Sequence, residues 1–282
     1  MRILFLTHSF NSLTQRLYVE LTQRGHEISI EFDINDSVTI EAARLFRPDL
    51  ILAPYLRRAI PETVWRHYPC LVVHPGIVGD RGPSALDWAI LNGEPEWGVT
   101  VLQANGEMDA GPVWATVNFR MRAARKSSLY RNEVTEAAVT AVLQAIERFA
   151  SGKFTPALPD VSARGQRRPL MNQSDRQIDW AADDTRTILR KINSGDGAPG
   201  VADAIHGELY HLYDACAEDE LRGVPGEILA RRHGAICRAT RDGALWIGHL
   251  KKIIPGEKTF KLPAVDVLGG MLGAVPEMSL PL

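Results

Sequence analysis

The first 32 residues decide the fold: RILFLT at 2–7 is followed by a helical pattern at 12–24 and by HEISIEF at 26–32. The compact apolar run at 2–7 is typical of a buried strand. The apolar residues of 12–24 recur with helical spacing, and Gly25 follows as a C-terminal cap. A strand, a helix and a second strand in this order predict two parallel strands joined by a crossover helix.

The same alternation continues through the first half of the chain. Strands are expected over 50–53, 70–73 and 99–103, and helices over 38–46, 82–92 and 128–149. We therefore predict an α/β fold, with a doubly wound, mostly parallel sheet over residues 1–150. Ligands bind beyond the carboxyl ends of the strands in such sheets. The cleft is accordingly expected among four loops, at 7–11, 54–56, 74–81 and 105–111.

The character of the sequence changes after residue 150. Prolines and glycines interrupt every periodic pattern across 151–177, which predicts a linker. From 178 to 282 the sequence is rich in turns and short strands, and Asp242-Gly243 is a hairpin signal. We expect this C-terminal segment to form a small open β-barrel subdomain.

Composition excludes several classes of protein. The 282 residues carry a net charge of −2, so the chain is not built for bulk capture of nucleic acid. No apolar run approaches the ~20 residues that span a bilayer, and the N-terminal run is too short for a signal peptide. The widely separated Cys70, Cys216 and Cys237 argue for a reducing compartment and against a structural zinc site. We expect a cytoplasmic protein with no metal, no membrane contact and no nucleic-acid partner.

His74 and Asp109 are the candidates for chemistry. His74 ends a predicted strand immediately before Pro75-Gly76, and an imidazole suits proton transfer near neutral pH. Asp109 lies in the turn-rich loop after the next strand, where a carboxylate orients an imidazole. The structural alternatives are a packed strand-end histidine and an Asx-turn aspartate. Because the two residues fall in adjacent loops of one expected cleft, we interpret them as a catalytic pair.

Four blocks of sequence around this pair resemble a known family. They are HPG at 74–76, RGPSALDWAILNG at 81–93, WGVT at 97–100 and MDAG at 108–111. Their order and spacing resemble the 10-formyltetrahydrofolate-dependent formyltransferase family, which carries a small C-terminal β-barrel. The resemblance implies transfer of a formyl group from 10-formyltetrahydrofolate through a tetrahedral intermediate, with no metal. It also implies that His74, held by Asp109, handles the proton of the acceptor or of the leaving group.

The resemblance assigns the folate site to two short segments. The pterin is expected against Pro54-Tyr55-Leu56 and against the Glu107-Met108-Asp109 loop, where backbone groups and Asp109 hydrogen-bond it. Arg81 is counted with these residues, because it either fixes the loop after His74 or forms an ion pair with Asp80 or Asp87.

Further blocks narrow the resemblance to the HypX (HoxX) family of hydrogenase maturation proteins. They include FNSLTQR at 10–16, FDIND at 32–36 and KSSLYRNE at 126–133. In that family a crotonase-like half follows the formyltransferase half. The resemblance implies coenzyme A as the acceptor, and formyl-coenzyme A as the precursor of the carbon monoxide ligand of nickel-iron hydrogenase. Expected partners are a crotonase-like domain, for which the sequence to Leu282 has no segment of sufficient size, and other hydrogenase maturation proteins.

Val72 departs from the pattern of the wider family. Formyltransferases of this class carry Asn two residues before the catalytic His, where its amide contacts the formyl oxygen. A lost oxyanion donor costs about 3 kcal/mol in barrier height. The loop after His74 also lacks the usual Leu-Leu-Pro run and is about one residue shorter. The missing donor fits a thiol acceptor, because a thiolate is a better nucleophile than an amine at neutral pH when the pKa of the thiol is lowered. The shorter loop implies an acceptor pocket that differs from that of the tRNA or purine-pathway enzymes.

Other assignments remain open at this point. The cluster of Arg164, Gln166, Arg167 and Arg168 either meets the phosphates of coenzyme A or is solvated. The rival functions are an N-formyltransferase for small-molecule amines, a hydrolase that returns formate and tetrahydrofolate, and a folate-binding or partner-docking module without turnover. A methionyl-tRNA formyltransferase is disfavoured, because the acidic FDIND replaces a basic loop after the second strand.

Overall fold

The computed structural model describes residues 1–160 and 163–278. Residues 161, 162 and 279–282, which belong to the predicted linker and the predicted C-terminal subdomain, lie outside the described residues. The chain divides into two compact units. The first comprises Met1–Leu86, Pro95–Arg122 and Leu129–Leu170, and the second comprises Asp87–Glu94, Ala123–Ser128 and Met171–Leu282.

These units differ from the order of segments expected at 1–150, 151–177 and 178–282. Most of the expected linker, up to Leu170, groups with the first unit. It is held there by backbone hydrogen bonds, in which Val113 N donates to Ala157 O at 2.8 Å and Arg81 N donates to Gln166 O at 3.0 Å. The prolines and glycines therefore mark an irregular but paired segment. The functional domain boundaries stay a prediction.

The first unit is built on a six-stranded sheet of order β2-β1-β3-β4-β5-β6. The strands are β1 Arg2–Thr7, β2 Glu27–Phe32, β3 Leu50–Tyr55, β4 Cys70–His74, β5 Glu96–Gln103 and β6 Val113–Arg120. Strands β1 to β4 are parallel, which confirms the mostly parallel, doubly wound sheet. By contrast, β5 is antiparallel to β4 and β6 is antiparallel to β5. Four successive residues of β1, Ile3 to Leu6, are at most 1% exposed, so this strand is covered on both faces.

The helices of the first half differ from the prediction at three places, one of which is the short helix Glu62–Trp65, which the sequence analysis does not predict. They are α1 Ser12–Gln23, α2 Asp36–Phe46, α3 Glu62–Trp65, α4 Ala85–Asn92, α5 Lys126–Leu129 and α6 Thr135–Ser151, with a π turn at Tyr130–Val134. The helix predicted over 82–92 begins only at Ala85, because Gly82 has a φ of +112°. The helix predicted over 128–149 is interrupted by the π turn. None of the helices in the described part of the chain has the length and apolarity needed to cross a membrane.

The second unit contains an antiparallel sheet of order β7-β8-β11-β10-β9, with β12 beside β11. Its strands are β7 Val201–Ile205, β8 Glu208–Glu218, β9 Ile228–Arg232, β10 Ala235–Ala239, β11 Ala244–Lys252 and β12 Leu262–Pro263. Its helices are α7 Thr185–Gly195 and α8 Ala264–Leu268, with 3-10 turns at Ser174–Arg176 and Gly269–Leu272. Across the described residues β7 and β9 pair with other strands and not with each other, so the sheet is open. The predicted Asp242-Gly243 hairpin is confirmed, since Ala239 pairs with Ala244.

A buried charge network holds the early segments of the second unit to its later ones. The Asp87 carboxylate accepts hydrogen bonds from Arg176 and from Lys126 Nζ, the latter at 3.2 Å. Arg176 is 1% exposed, and its Nε donates to Ser194 Oγ at 3.2 Å. Burial raises the pKa of Asp87, while the two cations act in the opposite direction. Because a broken buried ion pair costs about 3–5 kcal/mol, all three charged groups are needed together.

The loop between β5 and β6 requires glycine at position 111. A Cβ at Gly111 would lie 1.7 Å from the carbonyl oxygen of Gln103, which is a backbone atom, whereas a Cβ at Gly106 meets nothing within 4 Å. We expect Gly111→Ala to lower the free energy of unfolding by about 1–3 kcal/mol. Gly106→Ala in the same loop is the matched control and should change it by less than about 0.5 kcal/mol. Urea denaturation followed by circular dichroism measures both, and equal stabilities would contradict this close approach.

Candidate active site

His74 ends β4 and lies between two carboxylates. Its side chain is 4% exposed. Nδ1 lies 3.4 Å from Asp109 Oδ2, and Nε2 lies 3.2 Å from Asp80 Oδ2. Sequence analysis predicts the first of these contacts and misses the second. Asp80 follows His74 by six residues in a loop that contains glycine. A loop this short can fold back on His74, and its length is the one feature of the sequence that could have indicated the contact.

Asp109 reaches His74 for a reason other than the predicted one. Because β5 is antiparallel to β4, Gln103 lies opposite Leu71 and Thr100 lies opposite His74. The loop after β5 therefore starts beside the beginning of β4, not at the shared carboxyl edge of parallel strands. Asp109 has a φ of +54°, and its Oδ2 accepts a hydrogen bond from Gly82 N at 3.0 Å. The folded-back loop, rather than strand direction, brings the carboxylate to the imidazole.

Arg81 connects the same two loops at the protein surface. Its Nη1 donates to Glu107 Oε1 at 2.8 Å, and the Glu107 side chain is 60% exposed. The alternatives in which Arg81 pairs with Asp80 or Asp87 are wrong, because both carboxylates have other partners. An exposed ion pair is worth about 0–1 kcal/mol. Its main effect is to orient the two side chains at the mouth of the site.

The end of β3 supplies apolar surface next to β4. Ala53 lies opposite Val72, so Pro54 and Tyr55, which end β3, and Leu56, which follows it, lie beside the strand that carries His74. Pro54 is buried, whereas Tyr55 and Leu56 are half-buried. Leu56 and Val72 pack against the same apolar cluster. In the opposite loop Met108 is 55% exposed and free to cover a flat ligand.

Val72 presents a methyl-bearing side chain where the wider family has an amide. It lies two residues before His74, and therefore on the same face of β4. Its cross-strand neighbours, Ala53 and Leu102, are also apolar. This position offers no hydrogen-bond donor to a ligand at the imidazole.

Polar side chains at the end of β1 widen the site beyond the predicted residues. His8 Nδ1 lies 2.8 Å from Asp33 Oδ1, and the His8 ring meets the Tyr55 ring edge-on at 5.9 Å. Asn11 Nδ2 donates to Tyr130 Oη at 3.1 Å. Burial raises the pKa of Tyr130 to about 12, so its hydroxyl stays neutral near physiological pH. Tyr130 opens the π turn, a type of irregularity that is frequent at functional sites.

Arg168 is not solvated, contrary to one of the two expectations for the arginine cluster. Its Nε donates to Asp80 Oδ1 at 3.0 Å, and its side chain is 12% exposed. Its guanidinium carbon lies 5.7 Å from the centre of the Trp97 ring. Arg164 and Arg167 are exposed. Asp80 and Arg168 are separated by 88 positions in the sequence, and no local pattern predicts their contact.

The described residues, 1–160 and 163–278, do not form a metal site. There, no group of three or more His, Cys, Asp or Glu side chains is arranged to hold a metal ion. The arrangement at His74 is an imidazole held by two carboxylates, and such an imidazole can transfer a proton.

Comparison with known proteins identifies both parts of the chain. Residues 31–146 match the family model described as formyl transferase, and residues 170–263 match the model of the formyl transferase C-terminal domain. The hydrogenase maturation factor HoxX of Bradyrhizobium diazoefficiens is 54% identical over 98% of this chain and 49% of its own length. A methionyl-tRNA formyltransferase of Citrifermentans bemidjiense is 27% identical over 82% of this chain and 72% of its own length.

A solved structure agrees with these sequence matches. HypX from Aquifex aeolicus, crystallised in complex with tetrahydrofolic acid, superposes with a TM-score of 0.94 at 51% identity, over 99% of this chain and 48% of that one. The chain thus spans about half the length of HoxX and HypX. With both formyl transferase models matched and the similarity extending over nearly its whole length, this chain belongs to the formyltransferase family and resembles the formyltransferase half of HoxX and HypX.

Proposed function

We propose that this chain transfers a formyl group from 10-formyltetrahydrofolate to the thiol of coenzyme A. The observation that carries the proposal is the buried His74, with Asp109 Oδ2 at 3.4 Å from its Nδ1, beside an apolar wall that lacks an amide donor. The tetrahydrofolic acid bound to HypX supports the choice of donor.

The folate donor fits between the two predicted segments. The half-buried Tyr55 and Leu56 provide a surface for the pterin ring on one side, and the exposed Met108 provides one on the other. Arg81 holds Glu107 at the mouth of this space. Asp109 and backbone groups of its loop then supply the hydrogen bonds that orient the ring. Flat, mostly apolar walls with a few placed polar groups are usual for such ligands.

The transfer itself needs one proton carrier. The thiol sulfur attacks the formyl carbon, a sulfur–carbon bond forms, and the bond from that carbon to N10 of the folate breaks through a tetrahedral intermediate. His74 takes the proton from the thiol and returns it to N10 as the folate leaves. Asp109 holds the imidazole and stabilises the positive charge that it carries between these two transfers.

The absence of an amide at Val72 supports a thiol acceptor over an amine. Without that donor the developing oxyanion receives less help, and a more reactive nucleophile compensates. Arg168 is engaged by Asp80, which leaves the exposed Arg164 and Arg167 as the members of the cluster available to phosphates of coenzyme A.

The wider role follows from the similarity to HoxX and HypX. Formyl-coenzyme A made here supplies a crotonase-like domain, whether covalently joined or separate, that forms the carbon monoxide ligand of nickel-iron hydrogenase. The chain then works in the cytoplasm beside other hydrogenase maturation proteins. The rival function is N-formylation of a small amine, which would use the same folate site with a different acceptor.

Folate binding is tested with 5-formyltetrahydrofolate and titration calorimetry. We expect the wild-type chain to bind it, and Met108→Arg and Asp109→Ala to weaken binding at least about tenfold, which corresponds to 1.4 kcal/mol. Glu41→Gln, at an exposed position of α2 outside the proposed site, is the control. Binding that survives both site substitutions unchanged would place the folate elsewhere.

The role of His74 is tested by turnover. His74→Ala should lower formyl transfer by about 100- to 10,000-fold, the usual range for a general acid-base residue, with a much smaller change in folate affinity. His67→Ala, at an exposed histidine outside the site, should leave turnover unchanged. Near wild-type activity of His74→Ala would contradict the catalytic role and would indicate that His74 only packs at the end of β4.

The acceptor is tested by competition. The chain is mixed with 10-formyltetrahydrofolate, coenzyme A and a panel of small amines, and the products are identified by mass spectrometry. We expect formyl-coenzyme A and tetrahydrofolate in equal amounts. Val72→Asn should raise amine formylation relative to thiol formylation, because it restores a donor. Formylated amines without any thioester would favour the small-molecule N-formyltransferase over the coenzyme A enzyme. Tight folate binding without any product would indicate a folate-binding module without turnover.

A further inference from the structure

We propose that Asp80, braced by Arg168, is a positioning residue for His74, and that it sets which ring nitrogen carries the proton. This inference deepens the proposed function, since it concerns the same imidazole. It rests on a three-membered chain of contacts, from His74 Nε2 to Asp80 Oδ2 at 3.2 Å and from Asp80 Oδ1 to Arg168 Nε at 3.0 Å.

The contact is buried on both sides. The side chains of His74 and Asp80 are 4% and 0% exposed, and that of Arg168 is 12% exposed. An ionised carboxylate without water is costly unless charged or hydrogen-bonding partners surround it. Arg168 supplies the opposite charge and occupies one oxygen of Asp80. The other oxygen is left for His74.

The backbone is shaped to allow this contact. A Cβ at Gly76 would lie 2.3 Å from His74 Nε2 and 2.8 Å from Asp80 Oδ2, so only glycine fits beneath the pair. A Cβ at Gly165 would lie 1.9 Å from the backbone nitrogen of Asp80. Two glycines on separate segments are therefore required to bring the carboxylate to the ring. Such close approaches are the usual reason for an unsubstituted Cα.

The loop that carries Asp80 is also fixed from the side of β5. Trp97 Nε1 donates to Pro75 O at 2.8 Å, and Thr100 Oγ1 donates to Gly76 O at 2.9 Å. The Arg168 guanidinium lies over the ring of the same tryptophan. With the loop held on several sides, Asp80 has little freedom to leave the imidazole.

The consequence for His74 follows from the chemistry of imidazole. A neutral ring has one N–H and one bare nitrogen, so it can donate to Asp109 or to Asp80 but not to both. The two carboxylates thus compete for a single ring proton. Asp80, whose charge Arg168 partly balances, is the weaker competitor, and the proton stays on Nδ1, facing Asp109. Nε2 is then bare and takes up the proton during the reaction. The imidazolium so formed donates from Nδ1 to Asp109 and from Nε2 to Asp80 Oδ2, so Asp80 stabilises the charged ring.

The arrangement is tested by nitrogen-15 NMR of the ring in histidine-labelled full-length chain. His74→Gln identifies the His74 signals by their loss. We expect the wild-type spectrum to show the Nδ1–H tautomer. Arg168→Gln removes the balancing charge, makes Asp80 the stronger competitor, and should shift the ring toward the Nε2–H tautomer. Asp80→Asn should also change the His74 shifts. Arg44→Gln, the loss of an exposed arginine on α2 outside the site, is the matched control and should change nothing.

Turnover provides a second readout. Because a misplaced catalytic group costs about 100-fold, we expect Asp80→Asn and Arg168→Gln to lower kcat about 10- to 100-fold, with the folate KM within about threefold of wild type. Arg168→Lys, which keeps the charge, should recover part of the loss.

The outcomes separate this inference from the proposed function. Unchanged His74 ring shifts in folded Arg168→Gln would overturn the positioning role, whatever the enzyme does. The expected shifts in a chain that transfers no formyl group would support the positioning role while rejecting the proposed reaction. If Asp80→Asn does not fold, Arg168→Gln decides, because it leaves the Asp80 and His74 side chains in place.

Discussion

The backbone around His74 closes so tightly that a hydrogen atom is the largest substituent permitted at several positions. A Cβ at Gly82 would lie 2.1 Å from the carbonyl oxygen of Arg168, and one at Gly165 would lie 1.9 Å from the amide nitrogen of Asp80. These contacts join the loop after β4 to a segment more than eighty residues later. The close approach puts Arg168 beside Asp80 and so makes a buried carboxylate tolerable next to the imidazole. The remaining geometry of the site depends on this closure.

Within that frame the two carboxylates have unequal surroundings. Asp109 accepts a backbone hydrogen bond from Gly82 and, among the described residues, forms no ion pair with a lysine or an arginine, whereas Asp80 pairs with Arg168. Asymmetry of this kind is how a site distinguishes chemically identical groups. It allows one histidine to hold a defined proton in an environment from which water is largely excluded, next to an apolar wall that provides no amide.

Sequence reasoning found His74 and Asp109, because each ends a recognisable pattern within a short distance. The mostly parallel sheet was also predictable, since strands β1 to β4 are apolar runs and the segments between them include residues with helical spacing. The direction of β5 could not be predicted, because a buried apolar strand has the same sequence pattern whether it is parallel or antiparallel to its neighbour. Asp80 and Arg168 were missed for a different reason: their contact spans 88 residues, and prolines and glycines give no indication of where an irregular segment returns. The π turn at Tyr130 was hidden in a continuous helical pattern.

The charge network of Asp87 has a consequence for the synthesis of the chain on the ribosome. Asp87 is made 89 residues before Arg176, the cation that is buried with it. At about 5–20 residues per second, that interval lasts about 5–20 s. Lys126 is made 39 residues after Asp87, so it is the first of the two cations to become available, and Arg176 is the second. Asp87, in the first turn of α4, is therefore without its buried cation until Arg176 has been made. All six strands of the first sheet, the last of which ends at Arg120, are thus synthesised before the charge network of Asp87 can be completed.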